Sequence, residues 1–151
     1  MKIAINGFGR IGRLVFKLME EDSYFDVVAI NDLTDSEQLA YLLKYDTNHR
    51  NYEKEVTFDD DGIIVDGKKV RVFAEMDPEK LPWKELDVDL VFECTGKFTK
   101  EEEAMKHIVA GAKKVLVSAP CKGNVKTIVY NVNHETLTGD VIVKAMAMAL
   151  S

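Results

Sequence analysis

Met1-Lys-Ile-Ala-Ile-Asn-Gly-Phe-Gly-Arg-Ile-Gly-Arg-Leu14 decides how the rest of the chain is read. Ile3 to Ile5 is a short apolar run that predicts a buried strand. Gly7, Gly9 and Gly12 follow in G-x-G-x-x-G spacing. Ile11, Leu14, Val15, Leu18 and Met19 then mark one face of a helix. Strand, glycine turn and helix in that order give the glycines a mechanical meaning. Gly7 allows the tight turn, Gly9 lets a pyrophosphate approach the backbone, and Gly12 lets the helix pack close to the strand. The first turn of such a helix offers free N–H groups and a partial positive charge.

The second half of the unit supports the first. Val27 to Ile30 predicts another buried strand, ending in Asn31-Asp32. Asp32 stands 20 residues after Gly12, where an acidic residue meets an adenosine ribose. A carboxylate there accepts from the 2′- and 3′-hydroxyls and repels a 2′-phosphate. Leu33 follows, with no Arg to receive that phosphate, so the pattern favours NAD over NADP.

Composition sets the frame. The chain has 151 residues, which suits one domain. Apolar residues make up 46%, enough for a core, and the net charge of −6 argues against nucleic acid held by charge. No apolar run has the length of a membrane span. Met1 leads directly into the first strand, which predicts no signal peptide and a cytoplasmic protein. Cys94 and Cys121 have no metal or redox spacing, and His49, His107 and His134 are scattered.

Beyond residue 32, Thr34 with Glu37 has the form of a capping box, and Leu39, Leu42 and Leu43 give the following helix its apolar stripe. A polar stretch runs from Tyr45 to about Asn51. Residues 53 to 74 predict a small antiparallel meander, with Asp66-Gly67 as a two-residue hairpin turn. Its three aspartates, 59 to 61, suit an acidic turn better than a calcium loop. Trp83 packs under the loop that follows. Leu90 to Cys94 predicts a strand whose end places Thr95 and Gly96 as candidate ligand contacts. Thr99 and Glu102 cap the next helix, and Gly111 stops it. Strands are expected at Val115 to Val117, Ile128 to Tyr130 and Val141 to Val143. The tail, residues 144 to 151, is a short helix or a strand, and its apolar character calls for cover. The expected fold is α/β, a Rossmann-type doubly wound and mostly parallel sheet with the meander inserted.

The residues also resemble a family, the NAD-binding half of phosphorylating glyceraldehyde-3-phosphate dehydrogenases. The stretches that carry the resemblance are Ile5-Asn-Gly-Phe-Gly-Arg-Ile-Gly-Arg13, Ile30-Asn-Asp32, Tyr41-Leu-Leu-Lys-Tyr-Asp-Thr47, Leu81-Pro-Trp83, Glu93-Cys-Thr-Gly96, Ala110-Gly-Ala-Lys-Lys-Val115, Val117-Ser-Ala-Pro120 and Asn131-Val-Asn-His134. The resemblance implies NAD contacts at Asn6, Gly7, Phe8, Gly9, Arg10, Ile11, Asp32, Thr95, Gly96, Phe98 and Ser118. It implies a tetrameric, cytosolic glycolytic enzyme that oxidises an aldehyde through a thioester.

The departures from the family pattern shape the functional expectation. Met148 falls where the family has its nucleophilic cysteine, and a thioether has no hydrogen to ionise. The family's general-base histidine and catalytic domain lie past Ser151, and Met76 replaces an Arg near the adenine side. Cys121, beside Lys122 and near Lys126, has no neighbouring histidine in sequence. The expectation is a truncated, single dinucleotide-binding domain over residues 1–151 that binds NAD without its own turnover. The alternative is a self-associating scaffold on the same fold, covered by a second copy or a partner chain.

Overall fold

The computed structural model describes residues 1–45, 54–95, 101–121 and 124–131, with side chains for 1–45, 54–95 and 104–117. The elements in chain order are β1 (Lys2–Asn6), α1 (Arg10–Glu20), β2 (Asp26–Asn31), α2 (Ser36–Lys44), β3 (Val56–Asp59), β4 (Gly62–Val65) and β5 (Lys68–Phe73). A 3₁₀ turn (Pro78–Lys80), β6 (Leu90–Glu93), α3 (Glu101–Val109), β7 (Lys114–Cys121) and β8 (Asn124–Asn131) complete them. Among the described residues no helix is long and apolar enough to cross a membrane.

The strands form one sheet in the order β3-β4-β5-β2-β1-β6-β7-β8. Its centre, β5-β2-β1-β6-β7, is parallel throughout. Antiparallel pairs close both sides: β3-β4-β5 on one, β7-β8 on the other. The chain leaves β1 for β2 on one flank and later returns to β6 on the opposite flank. The carboxyl end of β1 is therefore the switch point of the sheet, where α/β folds open a crevice.

Burial on both faces explains why the central strands are nearly continuous apolar runs. Ile3 and Ile5 point to the face that packs Val15, Phe16 and Met19 of α1 and Leu39 and Leu43 of α2. Ala4, between them, points to the other face, with Trp83, Val91, Ala104 and Val115. The β1–β2 register skips Val28, a bulge that restores Val27 and Ile30 to the first face and Ala29 to the second.

The meander forms as its turn chemistry requires. Asp66 and Gly67 have φ of 48° and 82°, the left-handed pair of a type I′ hairpin. Asp59 and Asp61 both face the Lys69 ammonium, at 2.9 and 3.7 Å, so the acidic turn is closed by an ion pair.

Two local expectations change. Asp35, not Thr34, caps α2, its side chain accepting the Gln38 N–H at 2.8 Å. Thr34 is drawn into the preceding turn, where its N–H donates to Asp32 at 3.0 Å. Strands β7 and β8 each have eight residues, longer than their apolar centres, because each extends by pairing with the other from Lys114↔Asn131 to Cys121↔Asn124. Gly111 does end α3, with φ of 117°, and a side chain there would meet Lys84. The expected cap at Thr99, the strand at 141–143, the polar stretch past Tyr45 and the apolar tail lie outside the described residues.

Candidate functional site: a cleft at the switch point

The glycine loop lies at the carboxyl end of β1. Gly7 has φ of 93°, and a Cβ on it would stand 2.7 Å from Thr95 Cγ2 and 2.9 Å from Thr95 N. A Cβ on Gly12 would reach 2.1 Å from the Gly7 carbonyl oxygen. These two glycines hold the turn against β6 and the helix against the turn. Gly9 differs, since nothing lies within 4 Å of the place its Cβ would occupy. It is the N-cap of α1, and no side-chain hydrogen bond caps that end of the helix.

A cleft of about 450 Å³ opens here, lined by Asn6, Gly7, Gly9, Asn31, Asp32, Leu33, Glu75, Met76, Cys94 and Thr95. Its rims come from the carboxyl ends of β1, β2 and β6. Asp32 is half-buried in the wall. One of its oxygens accepts the Phe8 N–H at 2.8 Å and the other the Thr34 N–H at 3.0 Å. Each oxygen keeps a further lone pair for a ligand hydroxyl.

Of the residues named from sequence, the structure brings Asn6, Gly7, Gly9, Asp32 and Thr95 into the cleft wall. Arg10 and Ile11 sit on the first turn of α1, outside that lining. Phe8 is 1% exposed and packs edge-on against Phe16 with ring centroids 5.7 Å apart. Its carbonyl accepts from the Arg13 guanidinium at 3.0 Å. Phe8 therefore shapes the loop from beneath through its side chain. Gly96 and Phe98 lie outside the described residues, as do the side chain of Ser118 and the whole of Met148.

Under the cleft floor runs a chain of buried polar side chains with no periodic signature in the sequence. The Asn31 amide binds Glu75 twice, donating to its carbonyl and accepting its N–H, both at 2.9 Å. The same amide donates to Asn6 Oδ1 at 2.7 Å, and Asn6 Nδ2 donates to Glu93 Oε1. His107 Nε2 lies 3.0 Å from that oxygen, and the Trp83 indole N–H donates to His107 Nδ1 at 3.0 Å. Trp83 is fully buried, as expected from the loop above it.

Cys94 completes the wall beside Thr95. Burial, and after it the adjacent Glu93 carboxylate, push its thiol far above the ordinary range. A thiol so held is a poor nucleophile.

A parallel switch-point sheet, a glycine turn opening a helix, and an acid at the end of β2 define a Rossmann-type dinucleotide-binding domain. Residues 1–101 match the glyceraldehyde 3-phosphate dehydrogenase NAD binding domain. The chain belongs to that family, and NAD is the cofactor of its domain. It is 56% identical over 138 residues to the glyceraldehyde-3-phosphate dehydrogenases of Clostridium pasteurianum and Clostridium acetobutylicum, covering 91% of this chain and 41% of each relative. It is 50% identical over 141 residues to that of Mycoplasma pneumoniae, covering 93% of this chain and 42% of the relative. The chain thus spans about two-fifths of the length of these relatives.

Proposed function

We propose that this chain is the cofactor-holding part of an NAD-dependent oxidation of glyceraldehyde 3-phosphate, and that these 151 residues alone hold NAD without oxidising aldehyde. The observation that carries the first half is the placement of Asp32 in the wall of the same cleft as the glycine turn. The residues fit the cofactor by chemistry. Helix N–H groups and an unobstructed Gly9 suit a pyrophosphate, and Asp32 suits a ribose diol and disfavours a 2′-phosphate. The relatives' activity supports the substrate. The second half rests on Cys94, whose thiol is held protonated, and on Met148 at the position matching the family's nucleophile.

Calorimetric titration with NAD tests the reading, run beside Asp32→Ala. Saturable binding that weakens in the variant is the expected result, with no NADH formed when aldehyde and phosphate are added. Absence of heat at millimolar NAD would overturn it.

Self-association is a second reading, carried by Tyr41 and Tyr45 on α2. They are 59% and 48% exposed, with ring centroids 5.0 Å apart. Sedimentation that stays monomeric at high concentration would remove it.

A further inference from the structure

Met76 is the most exposed large apolar side chain among the described residues, at 76%, and it lines the cleft. Leu33, next to Asp32 in the chain, lines the same cleft and is 58% exposed. Among the described lining residues these two are the large apolar ones. Large apolar groups left open in a cleft mark contact with a ligand. The backbone that carries Met76 is tied on both sides. Before it, the Asn31 amide clasps the Glu75 peptide groups, both bonds at 2.9 Å. After it, the Asp77 N–H donates to Glu75 Oε1 at 3.1 Å, and the Glu79 N–H donates to Asp77 Oδ1 at 3.1 Å. With a pyrophosphate at the glycine turn and a ribose at Asp32, the next group along a dinucleotide is its base. Leu33 and Met76 are the apolar side chains left to meet it, and a thioether packs favourably against an aromatic ring.

We propose that Met76 is an oxidation site that sets the affinity of the cofactor cleft: hydrogen peroxide converts its exposed thioether to a sulfoxide, and the sulfoxide form holds NAD more weakly. The inference rests on the NAD-binding reading above. In the step a sulfur lone pair attacks one peroxide oxygen, the O–O bond breaks, an S–O bond forms and water leaves. Sulfur loses two electrons and the peroxide takes them, so no further reactant is needed. The product is polar where the thioether was apolar. Its oxygen is an acceptor, added to a wall that already holds the Asp32 and Glu75 carboxylates. Bound NAD covers the thioether, so ligand and oxidant oppose each other. Met19 supplies the contrast within the chain, since it is fully buried in the core. Cys94, the other sulfur in the lining, is held as the thiol and reacts slowly.

Dilute peroxide on NAD-free protein, followed by peptide mapping, reads the modification alone. Met76 sulfoxide should form at least about tenfold faster than Met19 sulfoxide. Equal rates overturn the site whether or not NAD binds. Saturating NAD should slow the Met76 reaction at least about threefold; NAD that binds without slowing it overturns the contact with the base. Calorimetric titration of the oxidised protein should give about three- to tenfold weaker NAD binding. The two methionine sulfoxide reductases, one for each epimer, should restore it with a dithiol as reductant. Unchanged or tighter binding overturns the control of affinity, and so does a loss that the reductases do not reverse. Met76→Leu, compared with itself before and after peroxide, should show no shift; a loss equal to the parent's places the effect at another residue and overturns the proposal. A parent chain that is oxidised selectively at Met76 but binds no NAD overturns the cofactor reading and the affinity half of this proposal together.

Discussion

Asp32 Oδ2 accepts the backbone N–H of Phe8 at 2.8 Å, across 24 residues of chain. The acid expected to meet a ribose also ties down the glycine turn expected to meet the phosphates. The two ends of the dinucleotide site are thus coupled through one side chain. Asp32→Ala should cost stability as well as affinity, about 1–2 kcal/mol, since it strands two backbone donors. Thermal melting should fall by several degrees, on the order of 2–4 °C per kcal/mol. Asp32→Asn keeps one acceptor oxygen and should melt between the two. The preference for NAD over NADP should shrink in both variants, because the charge that repels a 2′-phosphate is gone.

Gly9 and Gly12 should separate folding from binding. Gly12→Ala places a methyl 2.1 Å from the Gly7 carbonyl oxygen, a backbone atom that cannot step aside. It should destabilise by about 1–3 kcal/mol, as overpacking does. Gly9→Ala meets nothing within 4 Å and should melt close to the parent. Its methyl projects from the N-cap of α1, the end expected to receive a pyrophosphate, so NAD affinity should drop at least about tenfold, which corresponds to about 1.4 kcal/mol. Melting curves and NAD titration on the two variants check the pair.

Cys94 should resist alkylation. Its thiol is pushed up by burial and by the Glu93 carboxylate, so little thiolate exists near neutral pH. Iodoacetamide at mildly alkaline pH should modify it at least about tenfold more slowly than a free cysteine, whose pKa is near 8.5. Peptide mapping by mass spectrometry over time gives the rate. Fast labelling of Cys94 in folded protein would remove one support from the proposal that these residues alone do not oxidise aldehyde.

Asp89 supplies a pH-dependent tie between β1 and β6. Burial pushes its carboxyl up, but the Lys113 ammonium at 2.9 Å and the Lys2 N–H at 2.9 Å outweigh it, and the net shift is downward. A lowered carboxyl stabilises the fold above its unfolded pKa, near 3.8, and that contribution is lost as pH falls through the folded value. Asp89→Asn should therefore be less stable than the parent at neutral pH by up to about 1 kcal/mol, given solvent screening. The difference should close as the pH drops below that carboxyl range. Urea midpoints taken at several pH values read it.

The sequence declares what is local. The glycine turn, the alternation that sends Ile3 and Ile5 to one face and Ala4 to the other, and the Asp66-Gly67 hairpin all depend on neighbours a few residues away. The buried polar chain does not. Asn31 finds Glu75 across 44 residues and Trp83 finds His107 across 24, and no spacing rule marks such partners. His107 reads as one of three scattered histidines until the sheet brings α3 against β6. The cap of α2 falls one residue past Thr34 for a local reason that the capping-box pattern does not contain. Thr34 and Asp35 are both good caps; Asp32, two residues before Thr34, takes the Thr34 N–H into a turn, and Asp35 accepts the Gln38 N–H. Strand length at β7 and β8 was likewise a property of the pairing and not of either segment.

The polar chain beneath the cleft has a consequence for how a ligand is received. From Glu75 through Asn31 and Asn6 to Glu93, its links cross β2, β1 and β6 without a gap. It acts as a strut joining opposite banks, so the opening keeps its width before anything enters. A dinucleotide then meets walls that need no ordering, and the entropy usually lost in immobilising a pocket has already been spent in folding. Across this floor, recognition is close to rigid-body fitting.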